Sequence, residues 1–412
     1  MGETANLTAS KKVVLGVQHL FAMFGATVLV PSLTGLNVSV ALICAGLGTL
    51  LFHLVTSHKV PVFLGSSFAY IGALQIVIGG NSKNIPKAQS GIIAAGLIYI
   101  LVALVVKYVG VDVIRKTFPP VVTGPVIVVI GLTLAPTGIS MAQVNWPVAL
   151  FTLAVIIAVS VFTKGFFKLV PILIGLVSGY LLCVGLDLSG VLGAKLIDTS
   201  LITGAPWISP FWDFGGKFFT LPQFDLHAIT LIAPVALVTF MEHIGDITTN
   251  GSVIGKDLLK DPGLHRTLLG DGLATSLAGL LGGPANTTYS ENTGVLAVTK
   301  VYDTGVLKIA GCFAIFLGVF GKFGGVLASI PDPVKGGMSI MLFGMIAAVG
   351  LRTIAEAQLD FSHSRNLITV GLILVFGLGM SAGIQIGEFT VSGLFIAVVV
   401  GVLANKILPQ NV

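Results

Sequence analysis

The sequence predicts an all-α protein that crosses a membrane many times, and three observations lead to this fold class. Hydrophobic residues make up 55% of the 412 residues and charged residues only 9%, whereas a soluble domain carries about 25% charged residues. The apolar residues are gathered into runs of about 20, the length at which a helix spans a bilayer. The two halves of the chain also repeat short motifs in the same order, which is typical of membrane proteins built from internal repeats.

The candidate spans follow one another with short polar connections, and we expect about fourteen of them. They lie at 13–31, 37–56, 61–80, 90–109, 119–136, 147–163, 168–186, 226–247, 266–283, 284–299, 305–330, 335–351, 366–385 and 389–407. Placing the N-terminus inside puts 16 of the 22 Lys and Arg residues on the cytoplasmic side. The positive-inside rule therefore predicts that both termini are cytoplasmic.

Three motif pairs relate the two halves at a separation of about 220 residues. An odd number of spans in each half makes the halves antiparallel, so the sequence predicts two inverted seven-span repeats, a signature of transporters. The pairs are Gln18-His19 with Glu242-His243, Ser66-Ser67-Phe68 with Thr287-Thr288-Tyr289, and Pro120 to Gly124 with Pro333 to Gly336.

Four carboxyl groups fall inside predicted spans: Glu242 and Asp246 in the eighth, Asp271 in the ninth and Glu291 in the tenth. An ionised carboxylate at the bilayer centre costs at least about 2.5 kcal/mol, so such a group lines a cavity, pairs with another group or carries a proton. Glu242 and Asp246 share one helix face, and at least one of them should hold a proton or a donor. The alternative places both at a cytoplasmic helix end, in water.

The third and tenth spans are rich in Gly, Ser, Thr and Pro and are weak as helices. The polar, β-branched stretch 286–290 predicts an extended strand that runs into a half-helix, and 65–68 would be its counterpart in the first repeat. Ser290 is the expected N-cap, which would point free N–H groups and a positive dipole end at a site. The alternative is that the tenth span is an external loop.

The predicted site combines carboxyl groups, backbone N–H groups and the aromatic rings of Phe68 and Tyr289. This set suits a flat polar heterocycle, because aromatic rings stack on its faces while polar groups meet its edge. The same chemistry would admit a purine, a flavin-like ring or an aromatic acid. We expect His19 either to orient Glu242 or to hydrogen-bond a carbonyl, and Asp271 to be a candidate for an ion pair between helices.

Several function classes fit the sequence poorly. The phosphate-loop pattern Gly-x-x-x-x-Gly-Lys-[Ser/Thr] is absent from the sequence, which argues against a nucleotide-driven pump. Cys44, Cys183 and Cys312 are far apart and predict no metal site. Scattered Lys and Arg residues argue against nucleic-acid binding. We also expect no enzymatic activity, no channel, and no cofactor beyond a proton as coupling ion, with membrane lipid as the surrounding partner.

Five stretches resemble the nucleobase–ascorbate transporter family and, within it, the bacterial uracil permeases. The tenth-span stretch contains the family signature, an acidic or amide residue followed by Asn-x-Gly and a later Thr: here Glu291, Asn292, Gly294 and Thr299. The likeness covers essentially the whole chain. The stretches are 18–31, 65–70, 242–246, 256–266 and 286–303.

The resemblance implies an importer of uracil coupled to protons, working by alternating access as a homodimer in the bacterial inner membrane. Residues 1–118 and 226–331 would form a core domain, and 119–225 and 332–412 a gate domain. Substrate-binding residues would be Ala26, Phe68, Glu242, Tyr289, Ser290 and Glu291. Proton-coupling residues would be His19, Glu242, Asp246 and Glu291.

Two positions bear on substrate and coupling within that resemblance. Some uracil permeases have His where this chain has Asp246, so coupling there would run through a carboxylate. Relatives that prefer purines carry Gln at the position of Glu291 and Gly at that of Lys300, which favours uracil. A purine such as xanthine, or an anion, is the alternative substrate on the same fold.

Overall fold

The computed structural model describes residues 7–191, 193, 195–216, 218–386 and 389–409, and most of these residues are helical. The long helices are dominated by apolar residues, which a lipid environment requires. The elements of the first half are α1 (Ala9–Thr34), α2 (Val38–Val55), β1 (Leu64–Ser66), α3 (Ile71–Ile78), α4 (Ile85–Val109), α5 (Val111–Thr117), α6 (Pro120–Gln143), α7 (Trp146–Phe162), α8 (Pro171–Ser189) and α9 (Ser200–Thr203).

The second half follows the same succession of long and short helices. Its elements are α10 (Leu226–Ile232), α11 (Ala236–Ile254), α12 (Leu264–Leu281), β2 (Asn286–Thr288), α13 (Ser290–Thr299), α14 (Thr304–Val319), α15 (Gly321–Ala328), α16 (Asp332–Glu356), α17 (Ser364–Gly379), β3 (Ile384–Ile386), β4 (Phe389–Val391) and α18 (Gly393–Ile407). A helix lies within each of the predicted spans. The two chain termini, which are predicted to be cytoplasmic, lie outside the described residues.

Seven helical segments of the described ranges are long and apolar enough to cross a membrane. Five shorter apolar helices accompany them, so the chain is a multi-pass membrane protein, while the count of about fourteen spans stays a prediction. The seven segments are Ala9–Thr34, Val38–Val55, Ser82–Val109, Pro120–Gln143, Pro171–Ser189, Leu226–Ile254 and Asp332–Glu356.

The predicted strands and half-helices of the third and tenth spans are present. β1 pairs with β2 in antiparallel register, with Leu64 opposite Thr288 and Ser66 opposite Asn286. Helices α3 and α13 follow with only 8 and 10 residues, about half of what a bilayer crossing needs. The strand residues 286–288 are buried, so the tenth span is not an external loop. Non-helical backbone at this depth is tolerated where it is enclosed by protein.

Several long helices of the first half pack against helices of the second half. Three helix pairs join the two halves: α4 packs along α12, α2 along α14, and α6 along α16. Two further pairs form within the halves, α7 with α8 and α17 with α18. The inverted-repeat arrangement stays a prediction. The closest packing partners of six helices lie within one set: α6, α7, α8, α16, α17 and α18. The division into core and gate domains stays a prediction.

Glycine pairs let two of these matched helix crossings come close. A methyl group on Gly96 of α4 would stand 2.6 Å from the carbonyl oxygen of Gly272 on α12, and one on Gly272 would stand 2.8 Å from that of Gly96. Gly46 of α2 faces Gly311 of α14 in the same way. Small residues at such crossings allow the backbones to touch, which is how membrane helices gain packing energy without a hydrophobic driving force.

Two features of the fold were not predicted. The antiparallel strands β3 and β4 lie between α17 and α18, with Ile384 paired to Val391. They occupy the end of the thirteenth and the start of the fourteenth predicted span. The predicted eleventh span breaks at Phe320, whose extended backbone separates α14 from α15. There Ile208 of the long connection bridges to Phe320, and the Ser209 N–H donates to the Val319 carbonyl at 2.7 Å. Partners distant in sequence therefore set this break.

Candidate functional site

The site is built where β1 and β2 cross and the two half-helices begin. The ladder extends past the strands, since the Ser67 N–H donates to the Ala285 carbonyl and the Tyr289 N–H to the Phe63 carbonyl at 2.9 and 3.0 Å. The expected N-cap is wrong by one residue: Tyr289 occupies that position without a side-chain cap bond, and Ser290 is the exposed first residue of α13. The ladder bond holds Tyr289 extended, and helical geometry starts immediately after it.

Three of the predicted carboxyl groups lie together at this crossing. Glu242 and Asp246 are half-buried on α11, and Glu291 is half-buried in the first turn of α13. The three are close enough to interact electrostatically. Like charges in one site disfavour full ionisation, so the cluster is suited to holding a proton. Neither carboxyl of α11 is free at an exposed helix end, contrary to the alternative above.

Asp246 is fixed by a residue that sequence reasoning missed. The Thr288 hydroxyl, on β2, donates to Asp246 Oδ2 at 2.8 Å. A hydrogen bond to a charged group is worth about 1.5–3 kcal/mol, enough to hold the carboxylate in one orientation. The missed signal is a hydroxyl on a strand that alternates polar and β-branched residues beside the carboxyl-bearing helix.

His19 binds the signature amide of Asn292. Asn292 Nδ2 donates to the His19 carbonyl oxygen at 2.9 Å and lies 3.1 Å from its Nδ1. No hydrogen bond joins His19 to Glu242 within the described part of the chain. His19 and Asn292 are both fully buried and tie α1 to the half-helix α13. Asn250 forms a second tie, donating to the Pro61 carbonyl at 3.0 Å and to the Thr293 hydroxyl at 3.1 Å.

The two aromatic residues occupy different environments. The hydroxyl of Tyr289 donates to the Ser66 carbonyl at 2.8 Å and accepts from Thr27 at 3.3 Å, so it holds β1 against α1. Phe68 is half-buried and meets Phe343 of α16 edge-on, with ring centroids 6.2 Å apart. Ala26 is buried in the same apolar cluster as Tyr289. Phe68 therefore joins the strand crossing to the α16 helix.

A cavity of about 420 Å³ adjoins Phe68 on the side of α3. Gln75 of α3, Thr133 of α6 and Ser392 before α18 contribute its polar lining. Its size falls in the range of small-molecule sites. Phe68 lines this cavity, whereas the three carboxyl groups do not.

Behind the cluster lies a second pair of titratable residues. His243 Nδ1 of α11 is 3.0 Å from Asp271 Oδ2 of α12, and both side chains are completely buried. The contact across helices that the sequence suggested for Asp271 is present. Among the described residues, no group of three or more His, Cys, Asp or Glu side chains is arranged to hold a metal ion.

The comparisons with known proteins agree with this geometry. The model of a permease family matches residues 10–386. This chain belongs to the nucleobase–ascorbate transporter family. The uracil permease of Bacillus caldolyticus is 45% identical over 98% of this chain and 93% of its own length. The uracil permease of Bacillus subtilis is 42% identical over 96% of this chain and 92% of its own length. A putative pyrimidine permease of Escherichia coli is 41% identical over 98% of this chain and 91% of its own length.

Solved structures share the fold of this family member. The transmembrane domain of a cyanobacterial bicarbonate transporter, BicA, matches with a TM-score of 0.64 at 15% identity over 96% of both chains. The anion transporter SLC26A9 matches with a TM-score of 0.69 at 10% identity over 96% of this chain and 64% of its own. At these identities the likeness concerns the fold alone. Membership of the family makes the chain a transporter and not an enzyme.

Proposed function

We propose that this nucleobase–ascorbate transporter imports uracil together with protons across the bacterial inner membrane. Full-length likeness to uracil permeases supports uracil as the substrate. The observation that carries the proton coupling is the cluster of Glu242, Asp246 and Glu291 at the strand crossing. Three interacting carboxyl groups in one site cannot all be ionised without strong repulsion, so at least one of them exchanges a proton.

Uracil offers ring N–H donors and carbonyl acceptors along its edge, and this site has complementary groups. A protonated Glu242 presents one donor and one acceptor, and an ionised Glu291 accepts from a ring N–H. Backbone N–H groups at the start of α13, around Ser290, point their positive dipole end toward the ring carbonyl. Phe68 supplies an aromatic face for stacking, while the buried Ala26 and Tyr289 shape the wall behind it.

Protonation and binding are coupled through charge. With Glu242 ionised, its repulsion with Glu291 and Asp246 opposes a compact site, whereas a proton on Glu242 removes one charge and lets the ring bind. Thr288 keeps Asp246 turned away from the ring through the 2.8 Å hydrogen bond. His19 holds the half-helix through Asn292 rather than moving the proton itself.

Alternating access would follow from motion of the core domain, 1–118 and 226–331, against the gate domain, 119–225 and 332–412. Supporting this, the contact at Phe68 and Phe343 and the adjoining cavity lie between α3 and the helices α6, α16 and α18. An apolar ring contact can part without leaving polar groups unsatisfied. We further propose about fourteen spans as inverted repeats, cytoplasmic termini and a homodimer.

Uptake into proteoliposomes tests this function. Wild-type protein should accumulate radiolabelled uracil when an inward proton gradient is imposed, and a protonophore should abolish the accumulation. Glu242→Gln cannot exchange a proton and should lose gradient-driven accumulation. Glu356→Gln is the control, because Glu356 is exposed at the end of α16, where it pairs with Arg352 at 2.7 Å.

Two results would contradict the proposal. Full accumulation by Glu242→Gln with unchanged dependence on the gradient would remove the carboxyl cluster from the coupling step. Uptake of xanthine or an inorganic anion in place of uracil would keep the fold and replace the substrate. The anion-transporting structures share only the fold with this chain, so they do not themselves favour an anion.

A further inference from the structure

The long connection between α8 and α10 has two parts that are attached to different helices. The first part is held by α8, because the carboxylate of Asp187 accepts the backbone N–H groups of Leu196 and Ile197 at 2.8 and 2.9 Å. The second part consists of the described residues of 201–225, and we call it the strap. Its partners are helices of the predicted core domain, and only residues 198–200 lie between the two attachments.

The strap begins with an attachment of α9 to α15. Lys322 Nζ donates to the carbonyl oxygens of Ile202 and Thr203 at 3.0 and 2.9 Å. These carbonyl groups lie at the end of α9, where a helix leaves such groups without partners of its own. A methyl group on Gly325 of α15 would stand 2.6 Å from the Leu201 carbonyl oxygen. The backbone of α9 therefore lies directly on that of α15.

The second attachment is the antiparallel bridge between Ile208 and Phe320. The N–H groups of Ser209 and Gly321, which flank the bridge, donate to carbonyl groups of the opposite segment at 2.7 and 3.0 Å. The ring of Trp207 lies against that of Phe320, with centroids 5.9 Å apart. A helix break leaves backbone groups unpaired, and the strap supplies partners at the break between α14 and α15.

Two phenylalanine rings of the strap form the third attachment. Phe218 and Phe219 are 7% and 4% exposed, and their ring centroids are 4.8 Å apart. Both belong to an apolar cluster with residues of α2 and α12, namely Val40, Ile43, Cys44 and Ala278. Burial of two large apolar rings favours the docked state, because undocking would return this surface to water.

The fourth attachment is a reciprocal pair of hydrogen bonds between Gln89 of α4 and Thr220. Gln89 Nε2 donates to the Thr220 carbonyl oxygen at 2.8 Å, and Thr220 Oγ1 donates to Gln89 Oε1 at 2.7 Å. Nε2 also donates to the Gly279 carbonyl of α12 at 2.8 Å, and Gln89 is completely buried. Undocking would take away the donor to Oε1, and a buried acceptor without a donor is costly.

All four attachments lie on one side of the predicted domain division. Helices α2, α4, α12, α14 and α15 fall in 1–118 and 226–331, the predicted core domain. Helix α8, which holds the first part of the connection, packs on α7 and α16 of the predicted gate domain. The sequence-based division assigned the whole connection, up to residue 225, to the gate. The hydrogen bonds and the buried rings instead attach the strap to the core.

We propose that the strap moves with the core domain during transport and that residues 198–200 form a hinge between gate and core. The proposal rests on the proposed function, and it moves the end of the first gate segment from 225 to 197. Hinges are a few loop residues that absorb the backbone rotation. The four Cα–Cα steps from Ile197 to Leu201 reach at most about 14 Å, so the hinge limits how far α8 and α15 separate.

A disulfide between the strap and the core tests this proposal. Ile208 and Phe320 are directly opposite, and the hydrogen bonds are made by the flanking residues. Cα atoms of such pairs are about 4.5 Å apart, which a disulfide can bridge. Ile208→Cys/Phe320→Cys is made in a background in which Cys44, Cys183 and Cys312 are replaced by alanine. We expect equal initial rates of gradient-driven uracil uptake for the oxidised and the reduced protein in proteoliposomes.

A disulfide between core and gate is the matched control. A Cβ atom on Gly25 of α1 would stand 3.3 Å from Cβ of Ile172 on α8, close to the separation found in disulfides. Oxidised Gly25→Cys/Ile172→Cys should lose uptake, and a reductant should restore it. Loss of uptake on oxidation of Ile208→Cys/Phe320→Cys, with recovery on reduction, would overturn the proposal. Uptake that survives the core–gate disulfide would also overturn it, because a hinge requires relative motion.

Hydrogen exchange tests the docking in the purified full-length wild type, without cysteine variants. The amides of Ser209 and Gly321 should exchange slowly both with and without uracil, because the bridge stays closed. Rapid exchange of either amide would overturn the proposal. Absence of uracil uptake by the wild type would reject the proposed function, and slow exchange would then still show that the strap belongs to the core.

Discussion

The hydrogen bond between Thr288 and Asp246 offers a sharp test of the site, because the adjacent residue supplies its own control. Thr288→Val keeps the shape of the side chain and removes the donor that lies 2.8 Å from Asp246 Oδ2. Thr287→Val makes the same change one residue earlier on β2, where the Thr287 hydroxyl is buried with no hydrogen-bond partner among the described residues.

The expected loss follows from the strength of the bond. A hydrogen bond to a charged group contributes about 1.5–3 kcal/mol, and each 1.4 kcal/mol is a tenfold effect. Freed from Thr288, Asp246 can turn toward Glu242 and Glu291 and increase repulsion in the site. We therefore expect Thr288→Val to lower kcat/KM for uracil uptake by about ten- to a hundredfold, and Thr287→Val to change it by less than about threefold.

Initial rates of radiolabelled uracil uptake into proteoliposomes, at equal protein incorporation, measure both variants. Equal rates for Thr288→Val and the wild type would show that Asp246 needs no fixed orientation. Equal losses in the two variants would indicate that β2 tolerates no valine, so that the hydroxyl itself is not the cause.

Three further predictions concern helix packing, the ion pair of Lys12 with Asp303, and the long connection before α10. Gly272→Ala should lower the free energy of unfolding by about 1–3 kcal/mol, because the added methyl group meets Tyr99 and Gly96. Gly371→Ala is the control and should leave stability unchanged, because its added methyl group faces open space. Thermal unfolding in detergent compares the two variants. Burial favours the neutral form of Asp303, but the Lys12 ion pair at 2.7 Å, the hydrogen bond from the Gly305 N–H and the charge of Lys308 together outweigh it and hold the pKa of Asp303 below its usual range. A depressed pKa stabilises the fold above the unfolded value of about 3.9, so Asp303→Asn should cost about 0.5–1 kcal/mol at pH 7. The cost should shrink as the pH falls below about 3.9 and through the folded pKa, and a cost that is the same at every pH would contradict the ion pair. Trp207 and Trp212 are 68% and 64% exposed on the connection before α10, and we expect them to lie at the membrane interface. In a Trp146→Phe background, which removes the third tryptophan, brominated lipids should quench the fluorescence of both residues. An absence of quenching would place them in water.

Much of the fold follows from local sequence patterns. Composition and the length of the apolar runs identify a multi-pass membrane protein, since burial in lipid depends on local hydrophobicity and length alone. The polar, β-branched stretch that begins at 286 predicts a strand that runs into a half-helix, and both elements are present. The carboxyl groups within spans mark the candidate site, because their burial is too costly without a role.

Other features depend on residues that are far apart in the chain. The start of α13 differs from the predicted N-cap because Tyr289 bonds to Phe63, and the break at Phe320 depends on Ile208. A local pattern contains no information about such partners. The count of spans, the termini and the dimer rest on the same limitation and stay predictions.

Local sequence patterns are sufficient to identify a membrane-embedded protein, two interrupted spans, and Glu242, Asp246 and Glu291 as acids within spans. The partners of these side chains follow only from the tertiary structure. Thr288 donates a hydrogen bond to Asp246, Asn292 donates one to the His19 carbonyl, and His243 contacts Asp271. The physical reason is that the cost of burying a charge can be read at one position, whereas the partner that offsets the cost is set by how distant helices dock.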